Sequence, residues 1–223
     1  MDPLNCCTSI MMYETKQILR YNNIPMLTLS VFYPKVYLCN YPYAQNNINS
    51  QIQVQVSDFL RYASINLYKQ AVETYKQSQE NGFPFLRYEA SLQYNITYNQ
   101  NCYLSLYADQ YEFTSGAHGN TVRMSNTWGI MDGRSIPLSD FFPAGQDYRR
   151  SLINQITEQA KEKVRQNPGS FFEDYPALIA EYFNEEHFYL KSSGLAIYYQ
   201  QYEIAPYSTG IVVFTIPYMA PSY

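Results

Sequence analysis

From Leu86 onward the chain sets Tyr88, Ala90, Leu92, Tyr94, Ile96 and Tyr98 at alternate positions, with Arg87, Glu89, Ser91, Gln93, Asn95 and Thr97 between them. Period two sustained over this length specifies a long β-strand with one packed face and one wet face. Asn99-Gln100-Asn101 reads as the turn into a second long strand over residues 103–114. The pattern breaks at Ser115-Gly116-Ala117-His118-Gly119-Asn120, and Val122, Met124, Asn126, Trp128 and Ile130 resume it. A meander of three long antiparallel strands is therefore expected in the middle of the chain.

The flanks read differently. Residues 8–19 and 26–33 are strand-like, joined by a turn at Asn22-Asn23, with Pro34 stopping the second. The polar stretch from Gln45 to Ser50 offers N-caps to a long helix whose stripe is Ile52, Val56, Phe59, Ala63, Leu67, Ala71 and Tyr75. Gly82 and Pro84 end that helix. Beyond the meander, the sequence predicts a helical turn over 138–142 and a helix over 147–166. A shorter helix over 175–183 and strands over 187–191, 195–199 and 211–216 follow. The order specifies an α+β fold in which helices pack on an antiparallel sheet, the meander plus C-terminal strands. A smaller strand–strand–helix domain at residues 1–82 precedes a second domain at 83–223, with the seam at 81–85.

Composition narrows the chemistry. Tyrosine occurs 25 times against two histidines, and the net charge is −4. Most tyrosines suit half-buried sheet faces, where a ring packs and a hydroxyl stays wet. The acidic balance and lack of a basic run exclude a general nucleic-acid binder. No stretch approaches the roughly 20 apolar residues of a membrane span. The N-terminus has no basic region followed by an apolar run, so no signal peptide is read in it, and a cytoplasmic location stays open. Cys6, Cys7, Cys39 and Cys102 form no Cys-x-x-Cys, and a disulfide from the N-terminal pair to Cys39 is open on spacing. No metal site or cofactor is expected.

Two loops stand out. Gly116-Ala117-His118-Gly119 joins two long strands, and its glycines permit unusual backbone angles around an accessible imidazole. It reads as a ligand-binding loop, as a histidine acting as acid or base, or as a bulged hairpin with an incidental histidine. Ser115 near His118, with Asp109 or Glu112 behind, lacks any nucleophile elbow. A zinc site from His118 and His187 lacks regular ligand spacing. The second loop is the tyrosine cluster Tyr198-Tyr199, Tyr202-Glu203 and Pro206-Tyr207, suited to stacking on sugars or packing against a protein, or else to the sheet core.

At these loops the sequence resembles a known domain pair. Tyr111-Glu112-Phe113-Thr114-Ser115-Gly116-Ala117-His118-Gly119-Asn120-Thr121 resembles its Gly-Gly-Ala-His-Gly hairpin, followed by Trp128 and Leu138-Ser139-Asp140-Phe141-Phe142. Phe188-Tyr189-Leu190, Gly194-Leu195, Tyr202-Glu203-Ile204-Ala205-Pro206-Tyr207, Gly210 and Phe214-Thr215-Ile216-Pro217 resemble its C-terminal signature. These are the paired domains of unknown function in the extracytoplasmic region of the lysozyme-sensing anti-sigma factor RsiV and ahead of the catalytic domain of the peptidoglycan deacetylase PdaC. The sigma-binding segment, the membrane helix and the deacetylase metal motifs of those proteins are missing from this sequence, and Ser115 stands where the family has glycine. The resemblance implies a non-catalytic, extracytoplasmic recognition module for a basic protein such as lysozyme or for peptidoglycan fragments. Its contact residues would be Ser115, Gly116, His118, Gly119, Tyr202, Pro206 and Tyr207. A wall-glycan hydrolase using His118 and a purely structural domain are the competing readings.

Overall fold

A computed structural model describes residues 6–218. The stretch 1–5, part of the N-terminus read for a leader, lies outside the described residues. β1 (Thr8–Tyr21) and β2 (Ile24–Leu38) form an antiparallel hairpin with a bulge at Leu19/Arg20. Its turn is Asn22-Asn23, with φ of 47° and 66°, positive angles that asparagine accepts more readily than most residues.

Pro34 does not stop β2, and the reason is where its nitrogen points. β2 pairs on its other side with β3 (Tyr88–Gln100) only from Leu27 to Phe32. Beyond that ladder, Val36 N–H donates to Asn49 Oδ1 at 2.9 Å and Leu38 N–H to Gln45 Oε1 at 2.9 Å. Pro34 shares the alternation of Val36 and Leu38, so its missing N–H faces an edge where no strand requires it. The β2–β3 pairing, which the sequence reading did not foresee, is parallel, and the intervening helices supply the crossover that parallel strands require.

The crossover begins earlier than its cap signals indicate. α1 (Pro42–Tyr62) has Pro42 in its first turn, so Gln45–Ser50 lies inside the helix. There Asn49 also donates to Val36 O at 2.8 Å, and Asn47 donates to Gly133 O at 3.0 Å. A π-helical segment, Ala63–Leu67, separates α1 from α2 (Tyr68–Asn81). Phe59, Ala63, Leu67 and Ala71 are each four apart, and on an α-helix each such step drifts about 40° around the axis. The wider π turn absorbs that drift and keeps Phe59, Ala63, Leu67 and Ala71 buried. Gly82, at φ 71°, ends α2 with its N–H on Ser78 O.

β3, β4 (Tyr103–Phe113) and β5 (Asn120–Gly129) complete a sheet of order β1-β2-β3-β4-β5. β3 keeps the expected alternation, burying Tyr88, Ala90, Leu92 and Tyr94. The turn falls at Asn101-Cys102, with φ of 51° and 58°, slightly later than the Asn99–Asn101 reading. After a 3-10 turn at Leu138–Phe141 come α3 (Tyr148–Gln166), capped by Asp147 accepting from Arg150 N–H, and α4 (Tyr175–Glu181). β6 (Phe188–Lys191), β7 (Gly194–Tyr199) and β8 (Val212–Ile216) form an antiparallel sheet of order β6-β7-β8. β7 is buried on both faces. One face packs with Leu152, Ile156, Ala160 and Ile179, and Tyr189 and Tyr198 cluster with Tyr107 on the other. Gly194 at φ 146° admits no side chain, because a Cβ would fall on the Ile216 carbonyl.

The chain folds into two compact units. The first takes the chain to Asn95 with Ala108–Val122 and Ile130–Arg134; the second takes Ile96–Tyr107, Arg123–Gly129 and the chain from Ser135. In the first, a disulfide joins Cys7 to Cys39 with the Cα atoms 5.6 Å apart, the pairing that spacing left open.

Candidate functional site

The His118 hairpin belongs to the first unit. Ser115 takes φ 77° and Gly116 φ 104°, so a β-carbon stands in left-handed backbone where the resembled hairpin has glycine. Ala117 and His118 are exposed. Gly119 is buried under Tyr111, whose phenol ring occupies the place a Cβ would take. His118 Nδ1 lies 3.2 Å from Gly119 O. Glu112, weighed as an orienter for Ser115 and His118, instead accepts from Tyr62 Oη at 3.2 Å and Gln110 Nε2 at 2.7 Å. Desolvation and that carboxylate push the Tyr62 phenol up.

The tyrosine cluster belongs to the second unit and divides by burial. Tyr198 and Tyr199 are core residues, each 1% exposed. Tyr199 Oη donates to Ile179 O at 2.9 Å and Tyr198 Oη to Arg123 O at 3.3 Å. Tyr202 stands 51% exposed at φ 66°, its ring 5.8 Å from that of Tyr207. Pro206 and Tyr207 are half-buried, and the loop is anchored by buried Ile204 and Ala205.

Glu203 carries this loop into a cleft of about 570 Å³. Its walls include Glu181, Glu185, Glu186, His187 and Arg149. Burial pushes the Glu203 carboxyl above the usual carboxylate range, opposed by the Gln200 N–H that donates to it at 2.6 Å. Arg149 lies 3.8 Å from Glu185, which also accepts from Tyr148 Oη at 2.8 Å. A second cleft of about 630 Å³ shares Glu185 and Glu186 and adds Ser125, Asn126, Thr127, Ser135 and Phe188.

His187 sits at the acidic cleft with its ring stacked on Tyr198, centroids 4.8 Å apart at 16°, and its Nδ1 buried without a hydrogen-bond partner among the described residues. Desolvation lowers its pKa, and the charge of Glu186 opposes the shift. A folded pKa below the unfolded value means that the unfolded chain takes up the proton first as pH falls. Stability of the second unit should therefore decline from about pH 7 to pH 5, and His187→Phe should flatten that decline. Glu203, shifted the other way, contributes with opposite sign, so the comparison between variants isolates the histidine. Denaturation midpoints read from Trp128 across pH check this, and identical pH slopes would count against it.

One cluster escapes sequence reasoning. Tyr107, Tyr189, Tyr198 and His187 form a run of rings with centroids 5.0, 6.1 and 4.8 Å apart. The Arg123 guanidinium lies 3.7 Å from the Tyr107 centroid and 5.8 Å from that of Tyr198. Gln200 fixes Arg123 by accepting from its N–H at 2.9 Å and donating to its O at 2.6 Å. Alternation shows which face each residue takes, but no local spacing brings β4, β5, β6 and β7 residues together.

Comparisons with known proteins give two family matches and matching solved structures. Residues 24–121 match the family model described as deacetylase PdaC, and residues 139–219 match a protein family of unknown function, DUF3298. A solved structure of a DUF3298 family member from Bacteroides fragilis NCTC 9343 superposes with a TM-score of 0.74 at 17% identity, covering 96% of this chain and 92% of its own. A DUF3298 family protein from Pseudomonas aeruginosa PAO1 gives 0.60 at 18% identity, covering 96% and 91%. At these identities the likeness is one of fold. No curated protein matches the chain.

Proposed function

For a chain that carries a PdaC-type domain followed by a DUF3298 domain, we propose a non-catalytic recognition module of the cell envelope whose ligand is a basic, lysozyme-like protein. The observation that carries this reading is the acidic cleft of the second unit, where Glu181, Glu185, Glu186 and Glu203 face one arginine, Arg149. A cleft of one sign draws a partner of the other and favours on-rate, with strong salt dependence. Exposed Tyr202 beside Glu203 adds the aromatic surface that interfaces favour. Tyr202, Pro206 and Tyr207 are the contact residues on this side. Ser115, Gly116, His118 and Gly119 are those proposed on the first unit. An extracytoplasmic setting fits the Cys7–Cys39 disulfide, since such bonds persist in oxidising compartments.

A second reading, peptidoglycan fragments, draws on the larger cleft, where Ser125, Asn126 and Ser135 offer hydroxyl and amide groups beside Phe188. Titration of the chain with lysozyme and with soluble muropeptides separates the two. Lysozyme binding should weaken at least about tenfold from roughly 0.05 to 0.5 M salt, and by a similar factor in Glu186→Gln/Glu203→Gln. Muropeptide binding that ignores salt and both substitutions would replace the first reading with the second. Binding of neither up to about millimolar concentration would end both.

A further inference from the structure

β1 lies at one end of the sheet order, so one of its edges has no strand partner among the described residues. The strand is 14 residues long, none of its side chains is buried, and Met11 and Ile18 are 54% and 44% exposed. A long edge of this kind is a template for pairing unless something blunts it. Proline is absent from β1, and its one bulge lies near the turn, at Leu19/Arg20.

The sequence of that edge is complementary about Thr15 in its apolar and charged positions. Met11 and Met12 on one side answer Leu19 and Ile18 on the other, Glu14 answers the opposite charge of Lys16, and Tyr13 stands against Gln17. From this complementarity we propose that β1 pairs antiparallel with β1 of a second copy of the chain, in a register centred on Thr15. Glu14 of each copy then stands opposite Lys16 of the other, Met12 opposite Ile18 and Met11 opposite Leu19. The contact is isologous and closes on itself as a dimer, joining two five-stranded sheets edge to edge.

Geometry restricts the competing registers. A twofold axis normal to the sheet leaves each side chain on its own face, and residues paired across strands share a face. Paired residue numbers must therefore have the same parity, and the register moves only in steps that shift the centre by one residue. Centring on Glu14 sets that carboxylate against its own copy, and centring on Lys16 does the same for two ammonium groups. Like charges directly opposite oppose pairing, whereas Thr15 at the centre gives two opposite-charge pairs.

Sedimentation equilibrium of the chain at about 1–200 µM tests the proposal, with far-UV circular dichroism confirming that each variant is folded. The wild type should be a dimer that dissociates on dilution. Glu14→Lys and Lys16→Glu should each weaken the dimer at least about tenfold, because each sets like charges opposite one another twice. The double variant Glu14→Lys/Lys16→Glu restores both pairs and should recover the wild-type constant. Thr15→Cys should give a covalent dimer under oxidation, since the two copies of residue 15 stand about 4.5–5.5 Å apart at the axis. A wild type that stays monomeric, a dimer indifferent to both single reversals, a double variant without recovery, or a Thr15→Cys chain that yields no covalent dimer overturns the proposal.

Discussion

Ser105→Ala should destabilise the second unit by about 2–4 kcal/mol, more than the loss of one hydroxyl suggests. Ser105 is fully buried, and its Oγ accepts from Leu190 N–H at 2.9 Å while lying 2.7 Å from Thr127 Oγ1. One hydroxyl thus serves a backbone donor of β6 and a side chain of β5. Leu190 is 1% exposed and Thr127 2%, so the truncation leaves two polar groups where water does not replace the partner. Thr127→Val removes a hydroxyl yet leaves Leu190 N–H satisfied, and should cost only about 1 kcal/mol. The double variant should cost less than the sum of the two, because both singles remove the same Ser105–Thr127 contact. Trp128, 0% exposed and the single tryptophan of the chain, reports unfolding of this unit. Urea midpoints should fall with the slope unchanged; a Ser105→Ala midpoint equal to the wild type would sink this account.

Much of the fold was legible because its signals are local. The alternation of Tyr88, Ala90, Leu92 and Tyr94 depends only on pleat geometry, and those residues are the buried ones. Asp147 caps α3 and Gly82 ends α2 where sequence placed them. The misread points have non-local causes. Pro34 is a strand breaker on propensity, yet it is harmless because the ladder with β3 ends at Phe32, a fact set by a partner far along the chain. Asn49 and Gln45 look like helix caps, but they serve the edge of β2 from within α1. The π turn was visible in the equal four-residue gaps from Phe59 to Ala71, a departure from 3.6 that a stripe drawn by eye passes over.

The candidate site was legible in a narrower sense. Glycines around His118 and tyrosines near Pro206 marked the loops, because unusual backbone and aromatic surplus leave a trace in composition. Burial then separated Tyr198 and Tyr199 from Tyr202, which no count of tyrosines can do. The acidic cleft had no signature at all. Glu203 joins Glu181, Glu185 and Glu186 only once the loop after β7 folds back beside α4, a juxtaposition that no sequence spacing marks.

Removal of the Cys7–Cys39 disulfide by Cys7→Ser/Cys39→Ser, with Cys6 still in its own disulfide, should cost the first unit up to about 3–4 kcal/mol, the value for opening a loop of 32-residue separation. The loss should be concentrated in β1. β2 is held from several sides: Met26, Leu27, Leu29, Val31 and Val36 are buried, and its outer edge is bonded by β3 and by α1 side chains. β1 has no buried side chain, so the backbone ladder to β2 and the disulfides of Cys6 and Cys7 at its open end hold it in place. Cys39 N–H donates to Cys7 O at 3.2 Å beside the sulfur bridge, so the last rung and that bridge should fail together. Without the bridge, β1 should loosen against β2 even though Cys6 keeps its own disulfide, and amide exchange should rise along β1 more than along β2. Exchange measured peptide by peptide over 8–21 and 24–38 distinguishes this from global loosening. Uniform acceleration in both strands would mean that β1 is held by contacts other than its ladder and disulfides, and unchanged exchange in β1 would mean that the bridge restrains nothing in the folded unit.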